Sequence, residues 1–218
     1  MKKIIIIPFL VILFCSFTPP GTIKIPDTII YIDKSEISND DWLGYIIYLK
    51  DWRQADSVDI QPMLPDPRVW SSVYHGSFTS IASIMQTAPK SLDHPVVGVS
   101  YAQVVEYCKW RSEVVRIKYG KKVIYRLPTP EEWLKYANQI ASKDNNQTMP
   151  DSLQAVSTAK ASKNDVFHFA DNISEMTSEK GIAMGNNYTD KERGFDKHTY
   201  TNPEKWLGFR CVCEVSSE

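Results

Sequence analysis

The hydrophobic positions between Ser35 and Trp52 recur three and four residues apart, which is the spacing of a helix with one buried face. Ser38 is the expected N-cap, because a serine hydroxyl accepts a hydrogen bond from a free amide of the first turn. The positions expected to face the core are Trp42, Tyr45, Ile46 and Leu49. This stretch predicts a structural helix without residues that suggest chemistry.

A second helical pattern begins at Ser100, which forms the sequence of a capping box with Gln103. Gly120 is the residue type that commonly ends a helix, because glycine adopts the left-handed conformation without strain. The apolar positions between these ends recur at helical spacing and include Val104, Val105, Cys108 and Val115. We expect one helix from Ser100 to Gly120.

The next two elements follow directly along the chain. Apolar and polar residues alternate from Lys122 to Leu127, as they do in a half-buried strand. Thr129 then provides a helix cap, Pro130 fills the first helical position without losing a hydrogen bond, and Glu132 completes a capping box. The pattern therefore predicts a strand followed by a third helix.

The segment Arg53–Asp93 has a different composition and is predicted to be irregular. Its regular patterns are interrupted by Pro62, Pro65, Pro67 and Pro89. The aromatic residues expected to attach it to the core are Trp70, Tyr74 and Phe78. Because long ordered loops often carry binding function, this segment is a candidate binding surface. The polar stretch Ala141–Ser162 predicts a second exposed loop.

The first twenty residues, Met1–Pro20, are typical of an export signal. Two lysines precede the apolar run Ile4–Phe14, which is too short to span a bilayer as a stable anchor. Cys15 follows this run and is a candidate lipidation site, although Phe14 is larger than the residue that normally precedes a lipidated cysteine. Cleavage a few residues later and a retained leader are the alternatives. We expect residues 21–218 to form a single domain.

The charge balance gives no indication of nucleic-acid binding. The chain has 25 basic and 26 acidic residues, and removal of the lysines at positions 2 and 3 leaves 23 basic residues against 26 acidic ones, a net charge of −3. A surface that binds nucleic acid needs a basic field to neutralise phosphates. Three cysteines lie outside the predicted export signal, namely Cys108, Cys211 and Cys213.

Several segments, in order along the chain, resemble the family of formylglycine-generating enzymes, also called sulfatase-modifying factors. They are Tyr31–Ile46, Pro95–Ser112, Tyr125–Asn138, Phe169–Ser178 and Trp206–Val212, the last with the sequence WLGFRCV. The resemblance implies an α+β, C-type-lectin-like fold with few short helices and strands and extensive irregular loops. Within the family, Leu64–Trp70 and the Cys-Lys-Trp-Arg sequence starting at Cys108 are most similar to gliding-motility and secretion-associated envelope lipoproteins.

The resemblance also implies a disulfide, since the family pairs the two cysteines that match Cys108 and Cys211. Exported proteins commonly form such bonds. Closing a loop of about a hundred residues would stabilise the fold by roughly 4 to 5 kcal/mol in the chain-entropy model. In a strand, Cys213 would share a face with Cys211 and could compete for Cys108. Its alternative role is that of a small buried apolar residue.

The oxidases of the family bind copper through two thiolates shortly before the Gly-Phe-Arg-Cys motif. Cuprous copper prefers such soft sulfur ligands. The corresponding stretch here, Asp190–Leu207, contains no cysteine. The resemblance therefore predicts that the copper site is missing and that the chain is not an oxidase. Gly185–Tyr188 also departs from the Gly-Gly-Ser-Trp segment that forms a wall of the family's peptide groove.

The resemblance raises two other kinds of metal site, for iron and for calcium. A related branch holds iron with three histidines, but the histidines here are widely spaced: His75, His94, His168 and His198. Calcium is the ion that the resemblance supports, with Asn172, Ile173 and Glu175 as the candidate ligands. Asp171 and Ser174 replace the glycine and the tryptophan of that family loop, so a hydrogen-bonded turn without metal is the alternative.

These observations predict a non-catalytic, exported protein that acts as a binding or structural component of the cell envelope. Its partner is expected to be an envelope protein or peptide, with membrane attachment only through an N-terminal lipid. A metal-dependent oxidase that acts on a thiol substrate and a lectin-like ligand-binding module are the alternatives. The sequence has no Gly-x-Ser-x-Gly elbow, phosphate loop or dinucleotide fingerprint.

Overall fold

The structure is a computed structural model, and it describes residues 17–52, 60–76, 80, 83, 89–140, 149–157 and 166–216. The predicted export signal up to Ser16, including Cys15, lies outside these residues. So do Phe78 and most of the predicted loop Ala141–Ser162.

The described residues form four α-helices and eight short strands joined by irregular segments. The helices are α1 (Asn39–Trp52), α2 (Pro67–Tyr74), α3 (Tyr101–Tyr119) and α4 (Pro130–Ile140), with short 3-10 turns at Gln61–Met63 and Pro89–Ser91. The strands are β1 (Thr22–Lys24), β2 (Ile30–Asp33), β3 (Val123–Arg126), β4 (Ser174–Met176), β5 (Ile182–Met184), β6 (Lys197–Thr199), β7 (Leu207–Gly208) and β8 (Val212–Val215). The predicted α+β class with extensive irregular chain is confirmed.

The strands form two four-stranded sheets. The first has the order β1-β2-β8-β3 and is antiparallel throughout. The second has the order β6-β5-β4-β7, in which only the β4–β7 pair is parallel. Strand β8 near the C-terminus thus lies between β2 and β3, which joins distant parts of the sequence in one sheet.

Two hydrophobic cores lie on opposite sides of the first sheet. Tyr31 of β2 and Cys213 of β8 are register partners and face the larger core, where the rings of Trp42 and Tyr107 stack with centroids 5.4 Å apart. The neighbouring residues Ile32 and Val212, like Trp133 and Tyr136 of α4, belong to the second core. Successive strand residues point to opposite faces, so one sheet separates both cores.

The helix starts predicted from capping residues are confirmed. Ser38 Oγ accepts a hydrogen bond from the Asp41 amide at 3.1 Å, and Ser100 forms the reciprocal capping box with Gln103. Gly120 ends α3 with φ of 66°. Thr129 and Glu132 make the same reciprocal pair at the start of α4, and the predicted strand Lys122–Leu127 is β3.

The prediction that Arg53–Asp93 is wholly irregular is wrong, because helix α2 lies within it. Asp66 caps this helix by accepting hydrogen bonds from the Arg68 and Val69 amides, and Pro67 occupies the first helical position. Both residue types favour a helix start, so the signal was present in the sequence. The predicted attachment to the core is observed for Trp70, which is buried and donates its ring N–H to Asn39 at 3.1 Å.

Candidate functional site

Three neighbouring clefts lie along the segment Tyr200–Trp206. Cleft A, of about 530 Å³, is lined mainly by Tyr74, His75, Lys90, His94, Tyr188 and Lys205. Cleft B, also about 530 Å³, is lined by Asp66, by the α2 residues Arg68, Val69 and Ser72, and by Asn202–Trp206. Cleft C, of about 510 Å³, is lined by Ser100–Ala102, Lys180, Gly181 and Tyr200–Pro203.

The three clefts form a continuous series, because neighbours share lining residues. Clefts A and B share Ser72 and Lys205, and clefts B and C share Asn202 and Pro203. An extended ligand could therefore contact all three. The sequence singled out only parts of this surface, because its members come from seven separate stretches of the chain.

The segment Tyr200–Trp206 is tethered at both ends. The Tyr200 amide donates to Gly181 O at 3.0 Å, and the Ser174 amide donates to Trp206 O at 2.9 Å. Gly208 then passes so close to its neighbours that a side-chain Cβ would lie 2.4 Å from Ile173 Cδ1 and 2.8 Å from Val96 O. Close packing at this glycine fixes where the segment enters β7, so the clefts are built on an ordered support.

Helix α2 forms the other wall of clefts A and B. The Asp66 amide donates to Gly98 O at 2.7 Å, which attaches the start of the helix to the segment before α3. At its end, the Tyr74 hydroxyl donates to Pro95 O. Burial raises the pKa of Tyr74, so this hydroxyl stays protonated. These contacts fix the helix against the body of the protein.

Cleft A has a basic lining. It contains Lys90, Lys205, His75 and His94, and no carboxylate side chain is among its described lining residues. His94 is paired with Asp93, its Nδ1 lying 2.8 Å from a carboxylate oxygen. The two lysines are exposed and give the cleft a positive charge at neutral pH. An anionic ligand is therefore favoured.

None of the described cysteines lines a cleft, since Cys108, Cys211 and Cys213 are all buried. The sulfur atoms of Cys108 and Cys211 are 3.6 Å apart and are not bonded in the structure, so the disulfide stays a prediction. Burial raises the pKa of Cys211, and burial also raises the pKa of Cys213 to about 12. Such thiols are protonated at neutral pH and are poor metal ligands or nucleophiles.

The structure brings two of the four histidines together, because His75 and His94 both line cleft A. His168 is buried elsewhere, and the His198 ring packs against Trp206 with centroids 5.8 Å apart. Within the described part of the chain, no three His, Cys, Asp or Glu side chains gather as ligands for a metal ion.

The predicted calcium ligands already have protein partners. Both carboxylate oxygens of Glu175 bind Arg210, and one also accepts from Trp133 Nε1 at 2.6 Å. Asn172 accepts from the Gln154 amide at 2.8 Å through its side-chain oxygen. Ile173 is buried in the larger core. Calcium would have to displace Arg210 from Glu175, so this arrangement favours the hydrogen-bonded turn, and the calcium site stays a prediction.

Sequence reasoning missed a buried ionic network centred on Arg210. Its guanidinium binds Glu175 with N–O distances of 2.6 to 2.8 Å and lies 4.1 Å above the Phe169 ring. It also donates to the backbone carbonyls of Phe167 and His168. Charged residues are ordinarily exposed, so only the apolar neighbours Phe209 and Cys211 could have suggested that this arginine is buried.

A second buried pair joins β2 to α3. Asp33 binds both terminal nitrogens of Arg111 at 2.7 Å and accepts from the Cys211 amide at 2.8 Å. Such a bidentate ion pair fixes the relative orientation of the two groups as well as their distance. The network therefore ties the C-terminal motif to the central helix independently of any disulfide.

Glu36 and His168 are titratable groups within this network. Glu36 Oε1 accepts from Asn172 at 3.0 Å, and Glu36 Oε2 has no hydrogen-bond partner among the described residues. Burial raises the pKa of Glu36 from 4.5 to about 7, although His168 and Arg210 oppose the shift. Burial disfavours a charge on His168, but Glu36 and hydrogen bonds to Asp171 and Ala155 outweigh it and raise the pKa of His168.

Replacement of Glu36 by glutamine should flatten the dependence of stability on pH. Between pH 4.5 and about 7, the Glu36 carboxyl is protonated in the folded protein but ionised in the unfolded chain. Binding of this proton stabilises the fold, and the stabilisation is complete below pH 4.5 and is lost as the pH rises through about 7. The variant should gain up to about 3 kcal/mol over wild type at pH 8. In wild type, His168 adds pH dependence above pH 6.5, and because Glu36 helps to raise the pKa of His168, the variant should lose part of this dependence as well.

Denaturant unfolding between pH 4.5 and 8 measures this effect. Glu106→Gln is the matched control, since Glu106 is an exposed carboxylate on α3, and its curve should follow wild type. A Glu36→Gln curve parallel to that of the wild type would show that Glu36 is not the group responsible.

The comparisons with known proteins agree with this fold. The model of the sulfatase-modifying factor enzyme 1-like domain matches residues 16–165, which are 150 of the 218 residues. Comparison with curated proteins gave no match.

Solved structures with a similar fold include CarF, with a TM-score of 0.52, 14% identity, and coverage of 86% of this chain and 87% of that chain. PvdO from Pseudomonas aeruginosa is similar with a TM-score of 0.50 and 16% identity, over 85% of this chain and 80% of its own. Treponema denticola variable protein 1 gives a TM-score of 0.53 at 12% identity, over 85% of this chain and 84% of that chain. At these identities the neighbours support the fold alone, whereas the domain match covers more than half of the chain. The chain therefore belongs to the family of sulfatase-modifying factor enzyme 1-like domains.

Proposed function

We propose that this protein is a non-catalytic, exported member of the family that binds an extended acidic segment of an envelope partner along clefts A, B and C. The observation that carries the proposal is the chemistry of the segment Tyr200–Trp206. It belongs to the stretch that supplies copper thiolates in the family's oxidases, and here it presents tyrosine, asparagine, lysine and tryptophan side chains to the clefts.

The loss of the thiolates removes the ligands that cuprous copper prefers. The three cysteines of the described chain are buried away from the clefts, so they do not replace the missing pair. Lysine and tyrosine side chains are suited instead to binding carboxylates and apolar surface. The same scaffold thus supports recognition where the oxidases carry out chemistry.

The acidic character of the expected partner rests on cleft A, because the lining of cleft B is balanced, with Asp66 and Glu204 against Arg68 and Lys205. Lys205 lines both cleft A and cleft B, and Lys90 extends the basic surface into cleft A. Arg68 in cleft B is already paired with Asp66 at 3.1 Å, so it adds little net charge. Location in the envelope rests on the export signal Met1–Pro20, with Cys15 as the candidate anchor, and the sequence similarity of Leu64–Trp70 supports a link to gliding-motility or secretion machinery.

Reversal of the charge at cleft A should weaken the binding of acidic peptides. Fluorescence anisotropy with labelled peptides rich in glutamate, compared with their glutamine counterparts, measures the affinity directly. We expect Lys90→Glu/Lys205→Glu to weaken binding at least about tenfold, because each charged contact contributes on the order of 1 kcal/mol. Lys50→Glu, on the exposed side of α1, is the matched control and should bind normally.

Equal binding of glutamate and glutamine peptides would contradict an acidic partner.

The lectin-like alternative is favoured by one observation, the two tyrosines Tyr101 and Tyr200 beside Asn202 in cleft C. Aromatic rings with nearby amides suit sugar binding, and a glycan array with a Tyr200→Ala variant would distinguish this function. Glycan binding that is lost in this variant, without peptide binding, would replace our proposal.

A further inference from the structure

The first described residues show where the N-terminal part of the chain joins the domain. The Phe17 ring packs against Tyr119 at the C-terminal end of α3, with centroids 5.6 Å apart. Three residues later, Pro20 O accepts a hydrogen bond from Arg111 at 3.2 Å. Tyr119 and Arg111 are separated by about 12 Å along the helix. The chain therefore enters at the C-terminal end of α3 and runs back along the helix.

The surface at this end of α3 is basic and partly apolar. Arg116, Lys118, Lys121 and Lys122 lie within seven residues, with no acidic residue among residues 114–123. Cations at a helix C-terminus are also favoured by the helix dipole. The dipole does not explain the exposed apolar residues beside them, which are Ile117, Tyr119 and Ile124 with 46%, 42% and 54% of their surface accessible.

The clefts lie at the other end of the same helix. Ser100, Tyr101 and Ala102 at the start of α3 line cleft C. With a rise of 1.5 Å per residue, the distance from Ala102 to Tyr119 is about 25 Å. Helix α3 therefore separates the clefts from the basic end, which we define as the exposed residues of 116–124.

We propose that the basic end of α3 rests on a lipid bilayer with anionic headgroups, so that the clefts face away from the membrane. The apolar run Ile4–Phe14 and Cys15 precede Phe17 in the sequence, and Phe17 lies at this end. None of the helices in the described part of the chain is long and apolar enough to cross a bilayer. Lysine and arginine contact the headgroups, while Ile117 and Tyr119 lie at the interface.

This arrangement gives α3 a role as a spacer between membrane and binding surface. It does not depend on which ligand the clefts bind, so it survives even if the proposed acidic partner is wrong. It does require the N-terminal segment to stay attached to the membrane, either as a retained leader or through a lipid on Cys15.

Site-specific photo-crosslinking of the full chain in proteoliposomes tests the proposal. p-Benzoylphenylalanine replaces Ile117 at the basic end or, as the control, Asn202 in clefts B and C; both residues are exposed. The vesicles consist of phosphatidylcholine with or without phosphatidylglycerol, and mass spectrometry identifies the adducts. We expect lipid adducts at position 117 at least about tenfold above those at position 202 when phosphatidylglycerol is present.

Charge reversal separates headgroup attraction from simple proximity. Lys118→Glu/Lys122→Glu should lower the adduct yield at position 117 about fivefold or more, because one basic residue near an anionic surface contributes about a factor of five. Lys90→Glu/Lys205→Glu at cleft A should leave it unchanged. Equal lipid adducts at positions 117 and 202, protein adducts in place of lipid at position 117, or a yield insensitive to charge reversal would each overturn the proposal.

Discussion

Replacing Arg210 by methionine should lower the free energy of unfolding by about 3 to 5 kcal/mol at neutral pH, because it leaves the buried carboxylate of Glu175 without its counterion. Arg210 and Glu175 are both almost completely buried, so water cannot replace the lost contact. Methionine keeps much of the apolar stem but donates no hydrogen bonds. Denaturant unfolding monitored by tryptophan fluorescence measures the change.

Two further variants separate the charge effect from packing. In Glu175→Gln/Arg210→Met, the isolated charge is gone while Trp133 keeps a hydrogen-bond acceptor, so this protein should be more stable than Arg210→Met. Arg68→Met is the matched surface control, since the Arg68 side chain is 90% exposed and should contribute less than about 1 kcal/mol. If the double variant were as unstable as the single one, the loss would come from packing and backbone contacts.

Reduction of the oxidised protein should cost about 4 to 5 kcal/mol of unfolding free energy, through loss of a Cys108–Cys211 disulfide. The two cysteines are separated by 103 positions, and a bond between them restricts the unfolded chain over that whole loop. Peptide mapping identifies the bond, and unfolding with and without reductant measures its effect. Cys213→Ala should still lose stability on reduction.

Recovery of Cys108 joined to Cys213 would contradict this pairing. Identical unfolding curves with and without reductant would show instead that the two thiols pack together without a bond. In that case Asp33, which binds Arg111 of α3 and accepts from the Cys211 amide, would be the principal ionic tie between the C-terminal motif and α3.

The elements that the sequence predicted correctly are those with local signals. Caps at Ser38, Ser100 and Thr129 determine where α1, α3 and α4 begin, and each lies within a few residues of the groups it binds. Helix α2 was missed although Asp66 and Pro67 carry the same kind of signal, because the density of prolines around it favoured an irregular interpretation.

The clefts and the ionic network could not be predicted in this way, because both depend on contacts between distant residues. Cleft A joins His75, Lys90 and Lys205, which no local pattern connects. Arg210 pairs with Glu175, 35 positions earlier, and Asp33 binds Arg111 across 78 positions. The sequence alone did predict the absence of copper ligands, because the lack of cysteine in Asp190–Leu207 can be seen without a structure.

Oxygen uptake by the copper-treated, reduced protein with cysteine-containing peptides tests most directly whether this scaffold binds without oxidising. The account predicts that uptake stays at the rate given by copper, peptide and heat-denatured protein, whatever the amount of copper added. Uptake that depends on the folded protein, rises to a limit at one equivalent of copper and yields formylglycine in the peptide would contradict it.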